Sequence, residues 1–141
     1  MAEDNLIELS FLDHVAIRVS DISRSINWYE EVLGLKTYKL PEWGEFPVFM
    51  LSGKSGIALF PAKQNSTQFD KNKHPIQIDH FAFNVTNENF EKAKQRYKNL
   101  NLEFSIQDHF YFHSIYTNDP DGHTVELTTL VVNDDEFYKS V

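Results

Sequence analysis

The chain has 141 residues, of which 41% are apolar, and it carries 13 basic against 21 acidic side chains for a formal net charge of −8. This length and composition predict one domain over residues 1–141 with a packed core, and the acidic excess argues against nucleic acid or an anionic membrane as a partner. The absence of cysteine excludes a disulfide framework and a thiolate site, and the lack of a long apolar run or a basic leader predicts a cytoplasmic protein.

The first predicted element is a strand that opens an internal near-repeat. Residues 12–20 read LDHVAIRVS, and their alternation gives the strand two different faces, with Val15, Ile17 and Val19 on one and His14, Ala16 and Arg18 on the other. A helix is predicted next, because apolar residues recur at helical spacing at Ile22, Ile26, Tyr29 and Leu33. Strand-like runs at 46–52 and 56–62 complete the first copy.

A polar segment at 63–75 predicts a linker, and the second copy of the repeat follows it. Residues 78–86 read IDHFAFNVT, so His80 stands where His14 stands in the first copy. Alternation again separates two faces, with Phe81, Phe83 and Val85 on one and His80, Ala82 and Asn84 on the other. A helical stripe comes next, formed by Phe90, Ala93, Tyr97 and Leu100. Strand-like runs at 110–117 and 124–131 end this copy.

The two copies predict an α+β fold built from tandem βαβββ units. The first unit covers about residues 11–62 and the second about 76–131, followed by an acidic tail at 132–141. The final strand follows the sequence DPDG at 119–122, which fits a type I turn. Glu126 alternates with Val125 and Leu127 in that strand and faces the side opposite to them. A strand glutamate in such a position can equally be an ordinary solvent-facing side chain.

These motifs resemble the vicinal oxygen chelate superfamily, which includes glyoxalase I, fosfomycin-modifying thiol transferases, extradiol dioxygenases and bleomycin-binding proteins. The shared features are the LDHVAI and IDHFAF openings, the tandem repeat and the NDPDGHTVEL ending, and they span residues 11–130. The resemblance implies a glyoxalase-like fold whose two units curl their sheets into a cup. It also implies one divalent metal, a small-molecule substrate and a homodimer. The sequence leaves open whether the two repeat histidines meet within one chain or across that dimer.

Carried over by position, the resemblance assigns the metal ligands to His14, His80 and Glu126. Two imidazoles and one carboxylate suit Fe, Mn, Co, Ni or Zn and leave coordination positions for substrate. Ala58 stands where glyoxalase I-like members have a second carboxylate. The resemblance is therefore to the three-ligand thiol-transferase and dioxygenase branches, and the glyoxalase and epimerase reactions are not expected.

Further site residues are predicted around these ligands. The resemblance places Tyr116 near the metal as a catalytic residue beside Glu126, although a strand tyrosine can also serve only packing. Other side chains are predicted to bind substrate, either because they share the parity of Tyr116 or because they lie on the histidine faces: Phe110, Phe112, Ser114, Asn84 and Arg18. An acid beside Arg18 could equally neutralise it. By parity, His109 and His113 are expected to face away from Tyr116.

The function predicted is that of a metal-dependent enzyme whose small oxygenated substrate chelates the metal, a lyase, transferase or dioxygenase. Phosphonate binding is disfavoured, because residues 132–138 are acidic and apolar and the first cation of the tail is Lys139. The alternative is a metal-free drug-binding protein of the bleomycin-resistance type, which the net charge and aromatic content favour and the intact ligand set disfavours. A third reading is a structural or regulatory protein that makes no use of the cup.

Overall fold

The computed structural model describes residues 6–63 and 76–138. The chain divides into two compact units, Met1–Ala62 and Lys63–Val141, and each is described by itself. Most of the expected linker, residues 64–75, lies outside the described residues, and so does His74. Among the described helices none has the length and apolar content needed to cross a membrane.

The first unit is a four-stranded mixed sheet with one helix on it. Its elements in chain order are β1 (His14–Val19), α1 (Ile22–Leu33), β2 (Lys36–Tyr38), a 3₁₀ turn (Pro41–Trp43), β3 (Val48–Ser52) and β4 (Ser55–Pro61). The strand order is β1-β4-β3-β2, with β1 parallel to β4 and the remaining pairs antiparallel.

The second unit repeats this topology. Its elements are β5 (Phe81–Asn84), α2 (Asn87–Asn99), β6 (Phe104–Asp108), β7 (Phe112–Asn118), β8 (Thr124–Leu130) and a short helix α3 (Asp134–Phe137). The strand order is β5-β8-β7-β6, and only the β5–β8 pair is parallel. The prediction of an α+β fold made of tandem βαβββ units is therefore confirmed.

Side-chain hydrogen bonds mark the start of both helices, and a glycine marks the end of the first. The Asp21 carboxylate accepts the Arg24 N–H at 3.1 Å at the start of α1, and Gly34 ends that helix in a left-handed conformation with φ 68°. The Thr86 hydroxyl accepts the Asn89 N–H at 3.2 Å at the start of α2. Both helices pack on the apolar face of their own sheet, so the opposite face of each sheet carries the repeat histidine.

The predicted faces of β1 and β5 are confirmed, but two strands begin two residues later than expected, and the other differences in strand ends are of one residue. β3 begins at Val48 rather than 46, after Pro47, which lacks the N–H that a ladder needs. β7 begins at Phe112 rather than 110, because Phe110 adopts a left-handed φ of 72° and lies in the turn after β6. The sequence also gave no signal for β2 and β6, whose residues are mostly exposed on both faces.

The core of the second unit contains a tyrosine that should govern stability at alkaline pH. Tyr97 on α2 is fully buried, and its hydroxyl has no hydrogen-bond partner among the described residues. Burial raises the pKa of the Tyr97 phenol well above its ordinary value of 10. Above pH 10 the unfolded chain therefore ionises this phenol while the folded chain does not, and stability falls by about 1.4 kcal/mol per pH unit.

We expect Tyr97→Phe to remove this alkaline loss and to leave stability near neutrality unchanged or raised, because no hydrogen bond is lost. Urea unfolding at about pH 7 and about pH 11 measures both quantities. Tyr38→Phe is the matched control, since Tyr38 is 47% exposed and its replacement should change neither value. An equal alkaline loss in wild type and Tyr97→Phe would contradict this account.

Candidate metal centre

The parallel β5–β8 pair brings His80 and Glu126 together on the open face of the second sheet. Glu126 lies directly opposite Ala82, and His80 precedes Ala82 by two residues and so points to the same face. Nε2 of His80 lies 3.0 Å from Oε1 of Glu126. Glu126 is only 5% exposed, whereas the imidazole is about one-third exposed, so this pair joins a buried carboxylate to a ring that solvent can reach.

The neighbouring Asp79 fixes the orientation of the His80 ring. Its carboxylate lies 2.7 Å from Nδ1, which leaves Nε2 directed at Glu126. A carboxylate that accepts Nδ1–H is the usual partner of a metal-binding histidine. Two ligand bonds of about 2.1 Å at a right angle place their donor atoms about 3.0 Å apart, which is the separation of these two atoms. The donor set and its spacing therefore fit a divalent transition metal.

Hydroxyl groups on β7 complete the surroundings of the carboxylate. The buried Ser114 hydroxyl donates to Oε2 of Glu126 at 3.0 Å. Tyr116 is the direct cross-strand neighbour of Glu126, and its ring meets the His80 ring edge-on at 5.7 Å. Burial raises the pKa of Tyr116, and its hydrogen bond to Glu126 and the charge of that carboxylate raise the pKa further. These contacts keep the phenol protonated beside the metal-ligand candidates.

His109 also contacts the phenol, contrary to the expectation that it faces away. Its Nε2 lies 3.0 Å from the Tyr116 hydroxyl. The alternation rule fails here because His109 lies in the turn between β6 and β7, where the left-handed Phe110 breaks the strand. His113 does lie on the other face, where its ring packs against Phe90 of α2. Sequence parity contains no signal for the His109 contact.

A cavity of about 140 Å³ lies beside Glu126. Residues from β5, β7, β8 and the C-terminal segment line it: Asn84, Phe112, Glu126, Thr128, Leu130, Phe137 and Tyr138. Asn84 and Phe112 were predicted to bind substrate, whereas Phe137 and Tyr138 were not, because the acidic segment around them gives no core-like pattern. Phe110 was predicted to line the site, but it lies in the turn, is 78% exposed and does not line this cavity.

The first unit contains the same framework without the carboxylate. Nδ1 of His14 lies 2.7 Å from the Asp13 carboxylate, just as His80 is held by Asp79. The register pairs Ala58 with Ala16 of β1, so Ala58 occupies the place of Glu126. Phe49 lies opposite Ala58, in the place of Tyr116, and its ring lies 5.1 Å from that of His14. The Asp–His pair of the second-unit site is therefore retained here, whereas its glutamate and tyrosine are replaced by Ala58 and Phe49.

A family model for the Glyoxalase/Bleomycin resistance protein/Dioxygenase superfamily matches residues 11–127. The chain belongs to this superfamily. The match covers both units, from the residues before β1 to the strand that carries Glu126. It confirms the resemblance inferred from the two DH motifs and the DPDG turn, and with it the vicinal oxygen chelate superfamily.

The relatives within this superfamily include transferases. The chain is 34% identical over 132 residues to a metallothiol transferase FosB from Staphylococcus saprophyticus, covering 91% of this chain and 83% of the relative. It is 30% identical over 121 residues to a glutathione transferase FosA from Serratia marcescens, covering 84% and 80% of the two chains. These relatives confirm the expectation of an enzyme, and they support a metal-dependent transferase of this superfamily.

Solved structures agree on the fold. A glyoxylase/bleomycin resistance protein/dioxygenase domain from Frankia matches with a TM-score of 0.74 at 23% identity, over 93% of this chain and 99% of the other. The fosfomycin resistance protein FosX from Listeria monocytogenes matches with a TM-score of 0.67 at 19% identity, over 89% and 97% of the two chains.

The predicted site residues of this protein fall into two groups, one in each unit. The second unit brings together His80, Ser114, Tyr116 and Glu126, with Asn84 and Phe112 on the adjoining cavity. His14 and Arg18 belong to the first unit, where the Arg18 guanidinium donates to the Pro61 carbonyl at 3.1 Å and lies over the Phe60 ring. In the described part of either unit, no three acidic or histidine side chains gather as a complete metal site.

Proposed function

We propose that this protein is a metal-dependent thiol transferase that adds a thiol to a small, uncharged, oxygen-bearing electrophile. The observation that carries the proposal is the pairing of the His80 imidazole with the buried Glu126 carboxylate at 3.0 Å, beside the Tyr116 phenol. The metallothiol and glutathione transferases among the relatives support the choice of thiol transfer over the other reactions of the superfamily. The homodimer implied by the resemblance is likewise proposed, and sedimentation of the purified protein measures it.

His80 and Glu126 would hold the divalent metal, with His14 as the third ligand. The Asp13–His14 pair repeats the Asp79–His80 pair at the same distance, which supports this assignment. Fe, Mn, Co, Ni and Zn all suit two imidazoles and one carboxylate. When bound, such a metal supplies Lewis-acid stabilisation for an oxygen that gains negative charge.

The residues of the chain would manage the proton and orient the electrophile. In the addition of a thiol to an epoxide, a sulfur–carbon bond forms, a carbon–oxygen bond breaks, and its electron pair stays on the oxygen. The Tyr116 hydroxyl would donate its proton to that oxygen and would recover one from the thiol through solvent. Ser114 holds Oε2 of Glu126, so the carboxylate keeps its orientation throughout.

The electrostatics of the second unit favour an uncharged electrophile over a phosphonate. The described strands of this unit carry no Lys or Arg, and apart from Lys63 at its start the cations of its described part lie on the α2 helix, on the far side of the sheet: Lys92, Lys94, Arg96 and Lys98. On the open face, the neighbours of Tyr116 and Ser114 on β6 are the neutral Ser105 and Gln107. A phosphonate needs charge-assisted donors to be held tightly, and the described strands that form this face contain no Lys or Arg.

The proposal is tested by incubating protein loaded with each candidate ion with thiols and two epoxides, one uncharged and one bearing a phosphonate. Mass spectrometry should detect the thiol adduct, formed faster from the uncharged epoxide. Tyr116→Phe should slow the reaction by about 100-fold with the metal content unchanged, whereas Tyr111→Phe should not slow it. If metal-loaded protein forms no adduct, while a cationic aromatic drug binds regardless of chelator, the drug-binding alternative replaces this proposal.

A further inference from the structure

The turn between β6 and β7 holds His109 in a defined place. The His109 N–H donates to the Phe112 carbonyl at 2.8 Å, and the His109 carbonyl accepts the Tyr111 N–H at 2.8 Å. The Asp108 side chain accepts the Phe110 N–H at 2.9 Å. A turn tied at three points fixes the position from which the His109 side chain extends.

The His109 ring extends from this turn toward the site. It packs against the Phe112 ring with centroids 5.0 Å apart, and its Nε2 lies 3.0 Å from the Tyr116 hydroxyl. The ring is half-buried. His109 therefore touches the phenol of Tyr116 from the side of the turn.

The direction of the His109–Tyr116 hydrogen bond follows from counting protons. A phenol has one proton and can donate it to only one acceptor. Tyr116 also lies directly across from Glu126 on the open face, and an ionised carboxylate, which can only accept, attracts the phenol proton more strongly than a neutral imidazole does. The phenol proton is thus directed at Glu126. Nε2 of His109 must then carry a proton and donate it to the phenol oxygen.

We propose that His109 is a positioning residue that donates from Nε2 to the Tyr116 oxygen and thereby keeps the phenol proton directed at the open face of the sheet. The torsion angle of the Tyr116 hydroxyl is then fixed before the substrate binds. Its mechanistic meaning rests on the proposed role of Tyr116 in thiol transfer. The hydrogen bond itself can be tested in the metal-free protein.

Long-range proton–nitrogen NMR of ¹⁵N-labelled, metal-free protein at about pH 8 shows which ring nitrogen of His109 carries the proton. We expect His109 to carry its proton on Nε2 and the Tyr116 hydroxyl proton to exchange at least about tenfold faster in His109→Phe than in wild type. His109→Gln keeps a donor and should restore slow exchange, and His113→Phe on the outer face is the matched control. A proton on Nδ1 with a bare Nε2 in wild type would overturn the proposal.

The loaded enzyme supplies a separate measurement. His109→Phe should lower kcat for thiol transfer with metal content unchanged, and His109→Gln should recover most of it. If the Nε2 proton is found but no thiol is transferred by any form, the proposed function fails while the hydrogen bond stands. If thiol transfer proceeds and His109→Phe leaves kcat unchanged, the positioning role is wrong.

Discussion

Replacing Glu126 with Gln is expected to weaken metal binding by more than about 100-fold. Loss of a residue that only supports a ligand typically costs 10- to 100-fold in metal affinity, and loss of the ligand itself costs more. Glutamine keeps the shape of the side chain and can still accept from Ser114 at the position of Oε2. What it lacks is the negative charge that offsets the charge of a divalent ion beside the His80 imidazole.

Calorimetric titration of chelator-treated protein with Mn, Co, Ni or Zn measures this affinity. Glu103→Gln removes an exposed carboxylate from the same unit and is the matched control. His80→Ala and His14→Ala should each reduce affinity as well, if these histidines are ligands. Binding by Glu126→Gln as tight as that of wild type would show that the metal, if any, is held elsewhere.

Ala58→Glu is expected to destabilise the protein by about 3 kcal/mol, because it buries a carboxylate that has too few partners. Ala58 is fully buried and occupies the position of Glu126 in the first unit. Glu126 accepts a hydrogen bond from the Ser114 hydroxyl, and Tyr116, which carries a second hydroxyl, lies directly across from it. In the first unit, Phe49 lies across from Ala58 as Tyr116 lies across from Glu126. Pro47, two residues before Phe49, takes the place of Ser114. Neither side chain can donate a hydrogen bond.

Denaturant unfolding measures this loss, and Ala16→Glu is the matched control. Ala16 is the cross-strand partner of Ala58 but is exposed, so its replacement should change stability by less than about 0.5 kcal/mol. Adding Phe49→Tyr to Ala58→Glu should recover about 1 kcal/mol by restoring one donor. If Ala58→Glu is as stable as wild type, the first unit can accommodate the charge and the asymmetry between the units needs another explanation.

The sequence predicted the framework of the site because each site strand has one buried and one open face. Alternation placed His80 and Asn84 opposite Phe81 and Phe83, and the register of β5 with β8 then set Glu126 beside His80. Side chains alternate between the two faces of a strand with a period of two residues, so the sequence alone can predict which of them share a face. The assignment of His14 as third ligand remains a prediction, since it rests on the repeat and the resemblance.

Other parts of the site depend on geometry that has no period. The left-handed turn at Phe110 resets the alternation, so parity misplaced both Phe110 and His109. Phe137 and Tyr138, at the end of α3, form part of the cavity wall. The acidic and polar residues 133–136 before them give no core-like pattern in the sequence. The strands β2 and β6 escaped notice because exposed strands need no apolar alternation.

The separation of charge in the second unit bears on how quickly ligands arrive. Four cations lie on α2, whereas Glu126 lies on the other face of the sheet. Asp134, Asp135 and Glu136 lie in the segment next to the cavity. An anionic thiol approaching that face is slowed by repulsion, which dissolved salt screens over about 10 Å at 0.1 M. The rate at which anionic thiols are captured should therefore rise with ionic strength. Cationic thiols should be captured fastest in dilute buffer, and the capture of neutral thiols should not depend on ionic strength.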